Sequence, residues 1–576
     1  MDNDRRRELW LPHAMSRRRL LAGTGAAVLF AACGGDDDSA SPSTQGGGQP
    51  TGGSTGTAGG PATTSGGPAT TSGGPATTSG GPATTSGGTP TSGGTLRVGL
   101  VGSTNDLIDG QYIVAKADQA RLVSGWDPVV NYDTDFNISY EHSLAEEIET
   151  VAADNYVIRF KEGLEFHNGK PVTADDIIYS FRRRIDPKLN LAPGLAELLG
   201  PDGMTAIDDR TIEFQLLKPA VTFINGLAEY TTTIVPVDYA RFDGDVSNQI
   251  GTGPFMLESF TPGTESVHVK NPNYWGSGLP LLDEVQIIDF ADAQALTNAL
   301  ASGEVDAAVD IPFAQVSTLE SDSNLRILES QAGNWLVITM AIDQAPFDDV
   351  RVRQAMRLIA NREEMVERVL AGHGRVANDM YGVLDPCYPK DIPQREQDIE
   401  QAMALLADAG QEGLTIDLFA PDDTAGLAEL IAVFADQAQA AGVTVKAQVL
   451  DGGTYWGDEY TKRTFATSFW STRPYLIQVA AGSLKNATYP ETHWPSPDSD
   501  FAETYDQAIA ETDDSARCEI IAEMQQEEYD NGGNLIPFFY NLVDGHAANV
   551  KGFEARPNLL NLDHYGRGWK NIWFED

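Results

Sequence analysis

The strongest constraint on what this chain can fold into is a stretch that cannot fold. Residues 34–94 are almost wholly Gly, Ser, Thr, Pro and Ala, and Gly-Gly-Pro-Ala-Thr-Thr-Ser recurs four times between Gly59 and Ser86. Such a segment has no large apolar side chains to bury, so it stays extended or fluctuating. Its unit is too short and too polar to stack as a solenoid. As a flexible coil it reaches roughly 40–50 Å from end to end. The chain is thereby divided into a leader (1–33), a tether (34–94) and a folding part (95–576).

In the leader, Ser16-Arg17-Arg18-Arg19-Leu20-Leu21 precedes a small and apolar run, Ala22–Ala32, that ends at Cys33. Paired arginines before a short apolar core mark a twin-arginine export signal, and the run is too short to span a bilayer as a helix. Met15, just before the pair, offers a second start. Leu29-Phe30-Ala31-Ala32-Cys33-Gly34 resembles a bacterial lipobox, with Phe30 where an aliphatic residue is usual. The resemblance implies acylation of Cys33, which becomes the mature N-terminus and anchors the protein to the membrane. Cleavage after Ala31 or Ala32 is the alternative, and it would release the chain.

Residues 95–576 exceed what one hydrophobic core supports, so two or three lobes are expected. Apolar residues are 41% of the whole chain even with the tether counted, which excludes disorder for the folding part. The formal net charge of −44 repels phosphate backbones and anionic head groups, so nucleic acid is not an expected partner. Three cysteines occur without a C-x-x-C pair, which argues against a zinc or iron–sulfur site. Cys387 and Cys518 are left as a possible disulfide if they meet in space.

Enzyme signatures are absent or out of context. Gly52-Gly53-Ser54-Thr55-Gly56 matches the nucleophile-elbow pattern but lies in the tether, without the strand and helix that make an elbow. Asn168-Gly169-Lys170-Pro171 has neither the upstream glycine nor the hydroxyl residue of a phosphate loop, and the eight histidines form no pair at metal-ligand spacing. The expectation is a protein that is not an enzyme, with no catalytic residue, cofactor or metal.

From Leu96 onward, short apolar strands alternate with helical periods, the pattern of an α/β architecture. Strands are expected at Leu96–Val101, Tyr156–Phe160, on either side of Asp208-Asp209, at Phe255–Phe260 and at Val267–Val269. Helices are expected at Ala174–Arg184 behind the N-cap Thr173, and at Ala293–Ser302, Val350–Ala371, Ile399–Ala409, Ala425–Ala441 and Ser515–Asn531.

Several blocks resemble the family 5 extracellular solute-binding proteins of ABC importers, which include dipeptide, oligopeptide and nickel binders. They are Tyr156–Phe181, Gly251-Thr252-Gly253-Pro254-Phe255 running on to Asn271-Pro272-Asn273-Tyr274-Trp275, Ala301–Ala307, Pro346–Ala355, Ile536-Pro537-Phe538 and Val550–Phe553. The resemblance implies a two-lobed periplasmic-binding-protein-like fold (type II, cluster C-like) with an extra subdomain in the first lobe. The expected division is 95–127, 205–312 and 536–576 for lobe I, 128–204 for the inserted subdomain, and 313–535 for lobe II. It also implies a solute captured between the lobes by hinge closure and passed to an ABC permease with its ATPase, outside the cytoplasmic membrane. The chain is expected to act as a monomer. A sensory or scaffolding binding protein without transport would use the same cleft, and a secreted hydrolase is the third reading.

The block Phe160–Phe181 reads as a strand, a turn and a capped helix, and His167 as a turn or packing residue. For the ligand site, the resemblance points to Phe469-Trp470-Ser471-Thr472-Arg473, where peptide binders carry a Trp-x-x-Asp-like segment whose aspartate pairs with the ligand's ammonium. Arg473 stands where that acid is expected. A cation there favours a carboxylate, a phosphate or a hydroxyl-rich solute, so the expected ligand is peptide-like, glycoside-like or anionic. Trp470 offers a flat apolar face. Asn334 and Trp335 from the second lobe, and Ser103, Asn105 and Trp126 from the first, complete the candidate lining.

Overall fold

The computed structural model describes residues 89–576 apart from 114, 134–135, 190, 243, 423, 458, 557–561, 563–568 and 576. The twin-arginine leader, Cys33 and the heptapeptide repeat lie outside the described residues.

The chain enters a large mixed sheet through β1 (Thr95–Val101) and crosses it with helix α1 (Lys116–Gly125). It then leaves to build a separate four-stranded sheet from β2 (Ala145–Ala152), β3 (Asn155–Phe160), β4 (Leu199–Asp208) and β5 (Thr211–Leu216), with helix α2 (Ala174–Ile185) packed upon it. It returns through β6 (Phe255–Thr261), β7 (Glu265–Lys270), β8 (Glu284–Phe290), α3 (Ala293–Ser302) and β9 (Ala307–Ala308).

The long strand β10 (Leu325–Met340) carries it into a second half. That half contains α4 (Val350–Ile359), α5 (Arg362–Leu370), β11 (Gly374–Val376), β12 (Thr415–Pro421), α6 (Leu427–Ala438) and β13 (Thr444–Leu450). It continues with β14 (Phe465–Trp470), α7 (Tyr475–Gln478), α8 (Phe501–Ala510) and α9 (Asp514–Asn531). Strand β15 (Phe538–Ala547) leads back to the first half.

The large sheet runs β13-β12-β14-β10-β15-β9-β1-β8-β7-β6 through both halves. Strands β10 and β15 form the crossing. Leu325–Ser330 pairs with Leu542–Ala547 on the first-half side, the register shifts between Ser330 and Asn334, and Asn334 and Trp335 then pair with Tyr540 and Phe539. The two extra residues lie on β10, and such a bulge bends and twists the strands locally. The shift falls where the chain passes from one half to the other.

Alternation along β10 gives the second half two cores. Leu336, Ile338 and Met340 face α4, α5 and α6, with Met356, Met365 and Leu430 in the same cluster. Trp335 and Val337 face the other way, against Tyr475, Ile509, Ile521 and Met524 of α7, α8 and α9. A strand buried on both faces reads as a continuous apolar run, as Trp335–Met340 does. The inserted region has its own core, built on Tyr156, Ile158, Phe181, Ile212, Phe214 and Phe223.

Two expectations need correcting. Strand β4 passes through the boundary at residue 204, and β5 and Phe223 share the inserted core, so the insertion extends beyond residue 204. The reason is local: the hairpin about Asp208-Asp209 pairs with β3 and not with the large sheet. The single helix expected over Val350–Ala371 is broken at Ala360-Asn361. Asn361 caps α5 by accepting from the Glu364 N–H at 3.0 Å, and its own N–H donates to Gln437 Oε1 at 3.0 Å. The cap competes successfully with helix continuation.

The resembling blocks are mostly architectural. Thr173 caps α2, its N–H and Oγ1 both donating to Asp176 Oδ2 at 3.1 and 2.7 Å. His167 clamps the Gly251–Gly253 loop: its Nδ1 accepts from the Gly251 N–H at 3.2 Å and its Nε2 lies 3.1 Å from the Gly253 carbonyl. Burial holds His167 down to about 4, so it stays neutral and serves both contacts with one tautomer. A Cβ on Gly251 would stand 1.9 Å from the Gly125 carbonyl, which explains the glycine there. Arg353 and Arg357 of α4 reach the C-terminus of α9, donating to the carbonyls of Asn531, Tyr529 and Gly532 at 2.5–2.9 Å. Two buried cations thus satisfy carbonyls that the helix leaves open.

Candidate functional site

At the hinge end of the second half, sheet register sets one row of side chains. Trp335 on β10 pairs with Trp470 on β14 and with Phe539 on β15, and Phe539 pairs with Arg375 on β11. Directly opposed residues project to the same face, so the four form a line across the sheet. The two indoles stack with centroids 6.0 Å apart and planes 19° from parallel. Tyr381 stacks on Trp335 at 5.5 Å, and Tyr475 on Tyr381 at 5.3 Å, making a four-ring ladder. The Arg473 guanidinium lies 5.3 Å from the Trp470 ring centroid, and the Arg375 guanidinium lies 5.3 Å from that of Phe539. Cations therefore sit at both ends of the row.

The indole of Trp470 is fixed by Glu491. Trp470 Nε1 donates to Glu491 Oε2 at 3.1 Å, Ser468 Oγ donates to Oε1 at 2.6 Å, and the Tyr460 hydroxyl donates as well. Asn334 ties the β14 exit to the bulge. Its Oδ1 accepts from the Thr472 N–H at 2.7 Å and from Thr472 Oγ1 at 2.9 Å, while Thr472 Oγ1 accepts from the Gly333 N–H at 2.8 Å. A Cβ on Gly333 would approach Thr472 and Val383 to 3.2–3.3 Å, so glycine lets the three segments close on the hinge.

Groups of the first half face this end. Tyr230 lies within electrostatic reach of Arg473, and burial pushes its hydroxyl up. Tyr540, on the crossing strand itself, is hydrogen-bonded to Asn334 and feels Lys116 and Asp310 of the first half; burial pushes it up to about 12. Lys116 and Asp310 form an ion pair. At the rim the halves touch: the Val221 N–H donates to the Ile509 carbonyl at 2.9 Å, and Leu384 packs on the inserted core. Cys387 and Cys518 are joined as a disulfide that ties the loop behind Leu384 to α9.

The structure brings together Trp470, Arg473, Trp335 and Asn334, four of the seven residues singled out from the sequence, with Trp335, Asn334 and Trp470 themselves only 3%, 5% and 7% exposed. Ser103 and Asn105 stand exposed in the loop after β1. Trp126 is 2% exposed, packs edge-on against Tyr239 and donates from Nε1 to the Ile250 carbonyl at 3.2 Å. It is a core residue of the first half. Tyr230, Tyr540, Tyr381, Glu491 and Glu528 were missed. Tyr540 follows Ile536-Pro537-Phe538 by two residues, and that proximity was the available signal; the others lie in segments without a motif. Among the described residues no group of three or more His, Cys, Asp and Glu side chains could hold a metal ion, and no helix is long and apolar enough to cross a membrane.

A mixed sheet shared by two halves, joined by two long strands of which β10 is bulged, and lined at the crossing by groups from both, is the architecture of a two-lobed periplasmic-binding-protein-like fold. The family model "Bacterial extracellular solute-binding proteins, family 5 Middle" matches residues 139–483, and the chain belongs to that family. The glutathione-binding protein GsiB of Escherichia coli O1:K1 is 30% identical over 337 residues, covering 56% of this chain and 63% of that protein. The chain thus aligns with somewhat under two thirds of that relative's length. The substrate-binding protein CtaP of Listeria monocytogenes superposes with a TM-score of 0.75 at 19% identity, over 84% of this chain and 100% of that one. The oligopeptide-binding protein AppA of Bacillus subtilis, solved with a nonapeptide, gives 0.65 at 22% identity, over 85% and 100%.

Proposed function

We propose that this protein is the solute-binding lipoprotein of an ABC importer, exported by the twin-arginine route and anchored outside the cytoplasmic membrane through Cys33. The tether lets the binding domain move between solute capture and docking on the permease. Solute binds at the hinge end of the second half, against Trp470, Trp335, Asn334 and Arg473, and is covered by the first half. The supporting observation is the position of Arg473, which stacks on Trp470 from one half and lies within electrostatic reach of Tyr230 from the other. A ligand that bridges such a pair is bound better by the closed form than by the open form, and that difference drives closure.

The guanidinium selects a solute with a carboxylate or another anionic group. A peptide such as glutathione, which names the E. coli relative, carries one. Mass spectrometry of small molecules released from natively purified protein, followed by thermal-shift assays with reduced glutathione and a tripeptide library, tests the reading. An acidic or peptide solute that raises the melting temperature is expected. Turnover of the bound molecule, or uptake unchanged in a deletion strain, rejects it.

A further inference from the structure

Glu528 on α9 is 7% exposed. Its carboxylate meets hydroxyls where a buried acid ordinarily meets a cation: Oε1 accepts from the Tyr381 hydroxyl at 2.6 Å and Oε2 from the Tyr475 hydroxyl at 2.8 Å. The Tyr381 hydroxyl is also 2.7 Å from Ser483 Oγ, with either atom able to donate. Ser483 ends a π-helical turn, Val479–Ser483, which follows directly on α7 and the Arg473 segment. Such turns are frequent at functional sites.

The surrounding charges are few. Glu527 on the same helix adds a repulsion, and Arg357 from α4 spends its guanidinium on main-chain carbonyls, including that of Glu528 at 3.4 Å. Asp385, from the loop facing α7, takes the Tyr475 N–H at 2.8 Å. Burial, opposed only by the three hydroxyls, lifts Glu528 to about 7.

Tyr475 and Tyr381 are the first two rungs of the ladder whose far end is Trp470 beside Arg473. We infer that Glu528 is a positioning residue of the solute site: its carboxylate holds the two tyrosines and, through the stack, the two tryptophans, and its protonation resets that wall. The inference rests on the reading that this end of the second half receives the solute.

The Ser483–Tyr381–Glu528 chain runs in opposite directions in the two states. Ionised, Glu528 accepts from both tyrosines while Ser483 donates to Tyr381. Protonated, it donates from Oε1 to the Tyr381 oxygen, Tyr381 turns its proton to Ser483 Oγ, and Ser483 withdraws its own donation. Reversing a three-membered chain changes its lengths and loads, and close-packed rings transmit the shift.

The test needs no known ligand. Stacked indoles give an exciton couplet in far-ultraviolet circular dichroism, and loss of that couplet in Trp470→Phe assigns it to Trp335 and Trp470. The wild-type couplet is expected to titrate with a midpoint near 7. In Glu528→Gln, which keeps shape and one donor, the signal is expected to be flat across the same range. Tyr381→Phe removes a donor to the ionised form and moves the midpoint upward.

With reduced glutathione as probe, affinity is expected to change about fivefold across the wild-type transition and less than about twofold in Glu528→Gln. A wild-type couplet indifferent to pH, or one that titrates equally in Glu528→Gln, overturns the inference. Failure to bind glutathione at any pH rejects the proposed solute class instead, and the couplet still decides the role of Glu528.

Discussion

Two carboxylates in the second half, Asp379 and Glu528, are 2% and 7% exposed, and their surroundings are opposite. Asp379 is gripped by Arg362 at 2.7 Å and by Arg395, with Arg357 nearby, and its Oδ1 accepts from the Ile536 N–H at 3.0 Å. The guanidinium groups outweigh the cost of burial and hold it below the usual carboxylate range. Among the described residues no cation meets the Glu528 carboxylate, and burial lifts it to about 7. Equal depth therefore does not fix the charge state; the partners do. One acid is a permanent bolt between the β11 exit and β15, and the other can change state in the physiological range.

Asp379→Asn breaks the comparison most severely. The residue sits at φ 60°, which asparagine tolerates as well as aspartate, so the change isolates the charge. Two buried arginines lose their counter-ion, and about 3–5 kcal/mol of stability should disappear at neutral pH, measured by urea unfolding. In the wild type this contribution is present above the unfolded carboxylate's pKa and fades as pH falls through the depressed folded value. A change under about 1 kcal/mol would remove Asp379 from its structural role.

Next comes the disulfide that holds the loop between the two acids. Cys387→Ser with Cys518→Ser opens a crosslink spanning 131 residues and should cost about 2–4 kcal/mol, read from the same unfolding curves against the oxidised wild type. Glu528 sharpens the contrast with a slope of opposite sign. Because its folded pKa is raised, the native state binds the extra proton, and stability should fall as pH rises from about 4.5 to about 7, then level off. The total is up to about 3 kcal/mol, and Glu528→Gln should erase the slope. Calorimetry at several pH values decides it.

The smallest effect concerns the proposed solute surface. Arg473→Asp should weaken binding of an acidic ligand about tenfold, or about 1.4 kcal/mol, by isothermal titration. Unchanged affinity would place Arg473 outside the site.

Much of this scaffold was legible in the residues because its signals are local. Thr173 with Asp176 announces a helix start, and Ala293–Ser302 has the helical period. The break at Asn361 escaped notice because its cap depends on Gln437, which is 76 residues away. Part of the proposed site was not legible for the same reason. Trp470 and Arg473 stood in a segment with a recognisable pattern, whereas Tyr230, Tyr540 and Glu528 are ordinary residues in their own neighbourhoods.

What the sequence determined alone was the α/β texture and the family. Each rests on composition or on spacings within about twenty residues. Tertiary structure decided which side chains share the hinge. Register between β10, β14 and β15 aligns Trp335, Trp470 and Phe539, and a one-residue slip in any strand would send its member to the opposite face. It also decided which buried acid carries a charge, since the arginines around Asp379 and the tyrosines around Glu528 arrive from segments brought together only by folding.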